Sequence, residues 1–497
     1  MKVKRILSMI LAVLLFALSL ASCEDTTVDP GAPDTSIDPP VSDNDVTDTD
    51  PVQEGLVLEM TDFDGAVLRV HGISKNRNFG YYSNDDIWVE SDSPDPFYSS
   101  VYARMQDCLD EYNFSIAYTD SMRPRDDLAS YVSGGLDAID VICEEWKLMY
   151  NASLTGTLVD MKDVHSMDLS QKWYDQNAVT DLSIAGRTFY TSGDFSVLDD
   201  KGVVALYFNK TMASNRNMES PYDLVANNQW TWDKFTEMCR DAVDDVNGDG
   251  IDEDDYVGMY TVDGQFANWM LCIGEKVATL NNDLIPEYSW LEDSDSVTKL
   301  EAVAGFMTDY EHVFNGRKYS APDGNIYAYG RAKFAAGKHL FAFGGSNVIA
   351  EFSDMEDDFG IIPMPKWNSE QSRYYHSIDT TTPMFAIANT KSDYTTLGYM
   401  IEYFSYEGMN TVTPAFKEKM LKRRYAQDVE SADMLDLIYS TKAFDIGHCC
   451  DWKGVISAAH TQLKAGRVPK LSTFTRLKSA IVTEIEQEYQ DILNVGQ

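Results

Sequence analysis

The chain has 497 residues, with 80 acidic against 40 basic side chains, and a formal net charge of −40 at pH 7. A surface that acidic repels phosphate backbones and anionic headgroups, which sets nucleic acid aside as a partner. The length allows two or three domains, each with its own core.

In chain order, Lys2, Lys4 and Arg5 come first, then an apolar run from Ile6 to Leu20 that closes on Ala21-Ser22-Cys23. A basic start, a short apolar stretch and small residues at its end read as a secretory signal over residues 1–22. The run is too short to span a bilayer comfortably. Leu20-Ala21-Ser22-Cys23 resembles the lipobox of bacterial lipoproteins. That resemblance implies that Cys23 is diacylated and tethers the protein outside the cytoplasm, on the cell membrane. Residues 23–55 are rich in Asp, Thr, Pro and Ser and carry no Lys or Arg. This stretch is predicted to be a disordered linker extended by self-repulsion. The cysteines beyond Cys23 sit mostly in apolar patterns and read as buried hydrophobes, not as a disulfide framework.

From Leu56 onward, strand and helix patterns alternate. Val67–Gly72 reads as a strand, Pro96–Tyr112 as an amphipathic helix and Phe114–Tyr118 as a strand. A helix over Asp126–Ser133 stops at Gly134-Gly135, and Asp140–Cys143 is a buried strand. This order predicts parallel sheets covered by helices, with ligands beyond the carboxyl ends of the strands. Residues just after Gly72 and Cys143 are therefore placed near a site.

A helix opens at Thr231, where the hydroxyl caps free N–H groups and Phe235, Met238, Cys239 and Ala242 form an apolar face. An acidic loop follows. Asp245, Asn247 and Asp249 alternate oxygen side chains, Gly250 permits a sharp turn, and the carbonyl of Ile251 supplies the next oxygen. That pattern suits calcium. The twelfth position is Tyr256, so Asp255 has to close the shell, with Glu253 acting directly or through water. A structural Ca2+ is expected there.

Several segments occur in a telling order. They are Leu206-Tyr207-Phe208-Asn209-Lys210, Pro221-Tyr222-Asp223-Leu224, Thr231-Trp232-Asp233-Lys234-Phe235, Ala336-Gly337-Lys338 and Gly360-Ile361-Ile362-Pro363-Met364-Pro365-Lys366. Together they resemble the bacterial extracellular solute-binding proteins of the sugar-binding, maltose-binding-protein-like branch. The resemblance implies an α/β, two-lobed, periplasmic-binding-protein-like (type II) fold with crossing hinge strands. Lobe 1 would comprise residues 56–203 and 378–435, and lobe 2 residues 204–377 and 436–497. It further implies a monomer without catalytic activity that traps a sugar or oligosaccharide and hands it to the permease of an ABC importer.

The resemblance also suggests where the solute sits. Glu144, Glu145 and Trp146 follow a strand whose loop meets sugar in the family, and Ser346 and Asn347 match a second site loop. Trp88 and Trp269 are further candidates. Trp173 and Asp194 border the cleft in close relatives, and Tyr375 lies at the expected second crossing. Sugars suit such residues, because aromatic rings stack on C–H faces while carboxylates and amides pair with hydroxyls. Two rival readings stand beside this one: a secreted glycoside hydrolase, for which carboxylates are plentiful, and a sensor or adhesin that does not transport.

Overall fold

The computed structural model describes residues 62–77, 82–291, 293–316, 321, 324–422 and 429–495, so the signal, Cys23 and the linker over 23–55 lie outside the described residues. The strand–helix alternation builds two main sheets. The first is ordered β12-β3-β1-β2, with β1 (Ala66–Ile73), β2 (Phe114–Ser121), β3 (Val141–Glu145) and β12 (Pro383–Ile387). Strand β1 runs parallel to β2 and β3, whereas β12 returns antiparallel to β3 with Phe385 opposite Cys143. The second sheet is ordered β10-β4-β9-β5-β8, with β4 (Val204–Asn209), β5 (Val257–Thr261), β8 (Val313–Asn315), β9 (His339–Gly345) and β10 (Phe359–Ile362). Here β4 is antiparallel to β9 and β10, and β5 is parallel to β8 and β9. Two ribbons complete the strands: β6 (Ala278–Leu280) with β7 (Pro286–Tyr288), and β11 (His376–Ser377) parallel to β13 (Lys442–Ala443).

Local chemistry explains the elements. Asp95 accepts from the N–H of Phe97 at 2.9 Å, Pro96 opens the helix Pro96–Tyr112, and Asn113 ends it in the left-handed region at φ 58°. Each group meets a need of a helix end. Strands β4 and β12 are buried along their whole length. Covered on both faces, they show continuous apolar runs instead of alternation.

The two passages between the sheets lie side by side. Val203 and Ile378 form an antiparallel bridge, and the N–H of Asp379 donates to the carbonyl of Gly202 at 3.0 Å. Leu56–Gln497 is one compact unit, and a buried apolar cluster runs through the crossing from Ile142 and Trp146 to Leu206, Trp269 and Phe444. A second cluster, with Leu68, Phe114, Cys143, Phe385 and Phe404, fills the other face of the first sheet. One boundary differs from the sequence reading, which carried lobe 1 to residue 435. The helix Val429–Ser440 packs on β10 of the second sheet, where the hydroxyls of Ser431 and Tyr222 lie 2.8 Å apart.

The last helix, Leu471–Asn494, is tied back to the first half of the chain. Arg187 donates to the carbonyls of Ile492 and Val495 at 2.7 and 3.0 Å, and Tyr150 donates to Glu488 at 2.5 Å. Among the described residues, no helix is long and apolar enough to cross a membrane.

Candidate functional site

A cavity of about 380 Å³ opens beside the paired crossing segments, at the carboxyl end of β9. Tyr82 enters from the side of the first sheet. The crossing contributes Val204, Asp379, Thr380 and Thr381. Gln265, Asn268, Asn325, Tyr327, Arg331, Phe343 and Asn347 come from the second-sheet side, with His448 beyond them. Gly344 and Gly345 keep its floor low: a Cβ on Gly345 would stand 2.9 Å from the carbonyl of Lys201, and one on Gly344 would stand 2.6 Å from Val348.

Asp379 organises the crossing side of this cavity. Its carboxylate accepts from the N–H and hydroxyl of Thr381 at 2.9 and 2.8 Å, and from the hydroxyl of Tyr82 at 3.2 Å. Burial, followed by the charge of Asp379, pushes the Tyr82 hydroxyl well above its ordinary pKa. On the facing wall the amide oxygen of Gln265 accepts from the N–H of Val262 at 3.1 Å, and that of Asn268 accepts from Ser377 at 2.9 Å. Arg331 holds Glu351 in a two-pronged pair at 2.7 and 3.0 Å. Burial drives the pKa of His448 down to about 3, so its ring is neutral at neutral pH. The cavity thus offers amides, hydroxyls, aromatic edges and one engaged carboxylate.

The residues singled out from sequence scatter. Asn347 lines the cavity, whereas the hydroxyl of Ser346 turns beneath it to the carbonyl of Asp200 at 2.7 Å. Trp146 is only 1 % exposed; its ring packs edge-on to Phe444 and its Nε1 donates to the carbonyl of Asp379 at 3.1 Å. Trp269 is sealed among Trp232, Phe235 and Phe343. Both tryptophans are core, and neither ring can stack on a solute. Glu144 and Glu145 are held by Arg77 at 2.8 and 2.7 Å and do not line the cavity. Trp88 stacks on Tyr118, with ring centroids 6.4 Å apart, also away from it.

Trp173 and Asp194 line a separate cavity of about 350 Å³. There Trp173 donates to Glu402 at 2.8 Å, and Asp194 accepts from Thr413 at 2.5 Å. Burial lifts the Asp194 carboxyl to about 6. Lys442 anchors the same cavity, lying 2.7 Å from Asp175, 2.5 Å from Asp199 and 2.9 Å from Asp200. Tyr375 borders a third cavity, of about 500 Å³, with the guanidinium of Arg373 4.8 Å above its ring. What sequence reasoning missed at the crossing cavity is Tyr82, Gln265, Asn268, Asp379 and His448. The polar run Asp379-Thr380-Thr381-Thr382, directly after the expected second crossing, was the available signal for Asp379.

In the acidic loop, Asp245, Asp249 and Asp255 each bring an oxygen within 4.8 Å of the others. Asp245 accepts from the N–H groups of Gly248 and Gly250 at 2.6 and 2.9 Å, and Asp255 from those of Val246 and Asp252 at 2.9 and 2.8 Å. Backbone hydrogen bonds, that of Gly250 first, hold the Asp245 carboxyl below its ordinary pKa. Glu253 does not join them: it accepts from the hydroxyl of Tyr329 instead. The donor set is all oxygen, as a hard cation requires.

No family model matches the sequence, and no curated protein matches it. Solved structures do. A cyclo/maltodextrin-binding protein complexed with maltotetraose is 13% identical, over 87% of this chain and 98% of its own, with a TM-score of 0.53. The maltose-binding periplasmic protein of Listeria monocytogenes, in complex with maltose, is 11% identical over 87% and 99%, with a TM-score of 0.51. The fold is that of the periplasmic solute-binding proteins. A third example with this fold, the GacH receptor of Streptomyces glaucescens solved with acarbose, is 12% identical over 86% and 98%, with a TM-score of 0.50. The cavity lies beside the segments that pass between the two sheets, with Tyr82 on one side and the second-sheet residues on the other.

Proposed function

We propose that this chain is an extracytoplasmic solute-binding protein that captures a carbohydrate in the crossing cavity and delivers it to the permease of an ABC importer, with no bond made or broken. The observation that carries the reading is the cavity itself. It lies beside both crossing segments and presents amides, hydroxyls and the rings of Tyr82, Tyr327 and Phe343. Those are the groups that meet the hydroxyl rim and C–H faces of a sugar. The maltose, maltotetraose and acarbose held by proteins of the same fold support a carbohydrate ligand.

Solute bridging the two lobes favours the closed state only through contacts that the open state lacks. The acidic linker gives the body reach from an acylated Cys23, and rim charges steer its encounter with the permease more than they fix its strength. The body works as a monomer. Asp245, Asn247, Asp249, Asp255 and the carbonyl of Ile251 would hold calcium, which clamps the exit of the helix Trp232–Asp241.

Titration calorimetry against a sugar panel, with chromatography of the sugars afterwards, tests the reading. Saturable binding with every sugar recovered intact supports it, whereas newly released reducing ends would identify a glycoside hydrolase. Membrane partitioning of the wild type and of Cys23→Ser tests the anchor, since only the wild type should sediment with membranes.

A further inference from the structure

Where glycine follows asparagine, the glycine nitrogen can attack the side-chain amide with little hindrance, because glycine has no Cβ and turns freely about its backbone. The chain has two such pairs, Asn247-Gly248 and Asn315-Gly316. The fold treats them in opposite ways.

Asn315 ends β8 and is only 4 % exposed. Its amino group donates to the carbonyl of Met307 at 3.0 Å, and the N–H of Gly316 donates to the carbonyl of Thr261 on β5, also at 3.0 Å. A Cβ on Gly316 would collide with the hydroxyl of Tyr260. Nucleophile and amide are thus each held by a neighbouring element, and the nitrogen cannot turn toward the side chain unless that edge of the sheet opens.

Asn247 and Gly248 are both exposed, in the acidic loop, and their hydrogen bonds stay inside it. The N–H of Gly248 donates to Asp245 at 2.6 Å. The Oδ1 of Asn247 accepts from the N–H of Asp249 at 3.1 Å, and its amino group donates to the Asp249 carboxylate at 3.1 Å. A backbone N–H can only donate, so the orientation of this amide is set. Gly248 lies at φ 78°, and a Cβ there would meet nothing within 4 Å. Each bond also has the sense that attack requires. A carboxylate accepting from the Gly248 N–H makes that nitrogen more nucleophilic, and a donor on Oδ1 draws electrons from the amide carbon.

We propose that Asn247 is a site of spontaneous deamidation through a cyclic imide. The nitrogen of Gly248 bonds to Cγ of Asn247, the Cγ–Nδ2 bond breaks, and ammonia leaves with the Gly248 proton. Water then opens the ring, adding hydroxyl to one of its two carbonyl carbons and hydrogen to its nitrogen. Opening at Cγ gives aspartate on the original backbone, and opening at the main-chain carbonyl gives isoaspartate, with one more carbon in the backbone. Nothing is oxidised or reduced. In the aspartate form, a carboxylate oxygen replaces the amino group that donated to Asp249, so an attraction becomes a repulsion among the converging carboxylates of the loop.

Incubation of the full chain at mildly alkaline pH, folded and in urea, followed by peptide mapping with mass spectrometry, tests this. In the folded chain the Asn247 peptide should gain about one dalton at least about tenfold faster than the Asn315 peptide, which must wait on local opening. In urea the two should convert at similar rates. Chromatography should resolve aspartate and isoaspartate forms of the converted Asn247 peptide. An unconverted Asn247 in the folded chain, a smaller contrast with Asn315, a contrast that persists in urea, or aspartate without isoaspartate overturns the proposal.

Discussion

The ammonium of Lys442 lies 2.5 Å from a carboxylate oxygen of Asp199, and the two residues, far apart in sequence, meet beside the crossing. Asp199 precedes the first passage, while Lys442 sits on β13, paired with the strand that leads into the second. Asp175 and Asp200 share the same ammonium at 2.7 and 2.9 Å. One buried cation thus holds three carboxylates beside the segments about which the lobes would turn.

Replacing it should be costly. Lys442→Met leaves the three carboxylates without their common partner, and breaking a buried pair from one side costs about 3–5 kcal/mol. Urea denaturation monitored by tryptophan fluorescence should show a loss of that size. A loss below about 1 kcal/mol would place this network with ordinary surface pairs.

The pH dependence of stability follows from buried groups of opposite sign. Burial lifts Asp199 and Glu402 to about 7 and Asp194 to about 6. A carboxyl raised in the folded state contributes stability that is full below about pH 4 and is lost as pH rises through its folded value. Burial also pushes His339, His376 and His448 down to about 3. A histidine lowered in this way contributes stability above about pH 6.5 that is lost as pH falls. Above about 6.5 only the carboxyls act, and below it the two sets oppose each other. The melting temperature should therefore rise from pH 8 to about 6.5 and then level off. Scanning calorimetry across that range checks it, and a steady fall from pH 8 downward would contradict it.

Calcium should raise the melting temperature and a chelator should reverse the rise, because an ion bound only by the folded state stabilises by mass action. Asp249→Ala removes one of the three converging carboxylates and should abolish the response. Glu253→Gln should leave it nearly intact, since that side chain is engaged with Tyr329. An equal calcium response in Asp249→Ala would show that any bound ion sits elsewhere.

The buried tryptophans should report on stability, not on binding geometry. Trp269→Ala removes a ring packed against Trp232, Phe235 and Phe343 and should cost about 3–5 kcal/mol. Trp88→Ala, at a half-buried ring outside the cavity, should cost much less and leave sugar affinity unchanged. Urea denaturation and calorimetry on both variants check this.

Much of the fold was legible in the sequence because its signals are local. The helix Pro96–Tyr112 was readable to its ends, and the hydroxyl of Thr231 does accept from a helix N–H, that of Lys234. The alternation of periods fixed strands β1, β2 and β3 to within a few residues. The site was far less legible. A tryptophan just after a strand reads the same whether it faces solute or core, and for Trp146 the answer lies with Phe444, far along the chain. The cavity residues are drawn from Tyr82, Gln265, Asp379 and His448, which only the crossing brings together. Amides and threonines scattered so widely carry no spacing that marks a site.

The central claim is that two lobes close on a sugar held beside their crossing segments. Small-angle X-ray scattering of the folded body with and without a sugar that calorimetry shows to bind tests it most directly. The account predicts a smaller radius of gyration in the saturated sample, with the sugar recovered unchanged. Identical scattering curves at saturation, or a cleaved sugar, would contradict it.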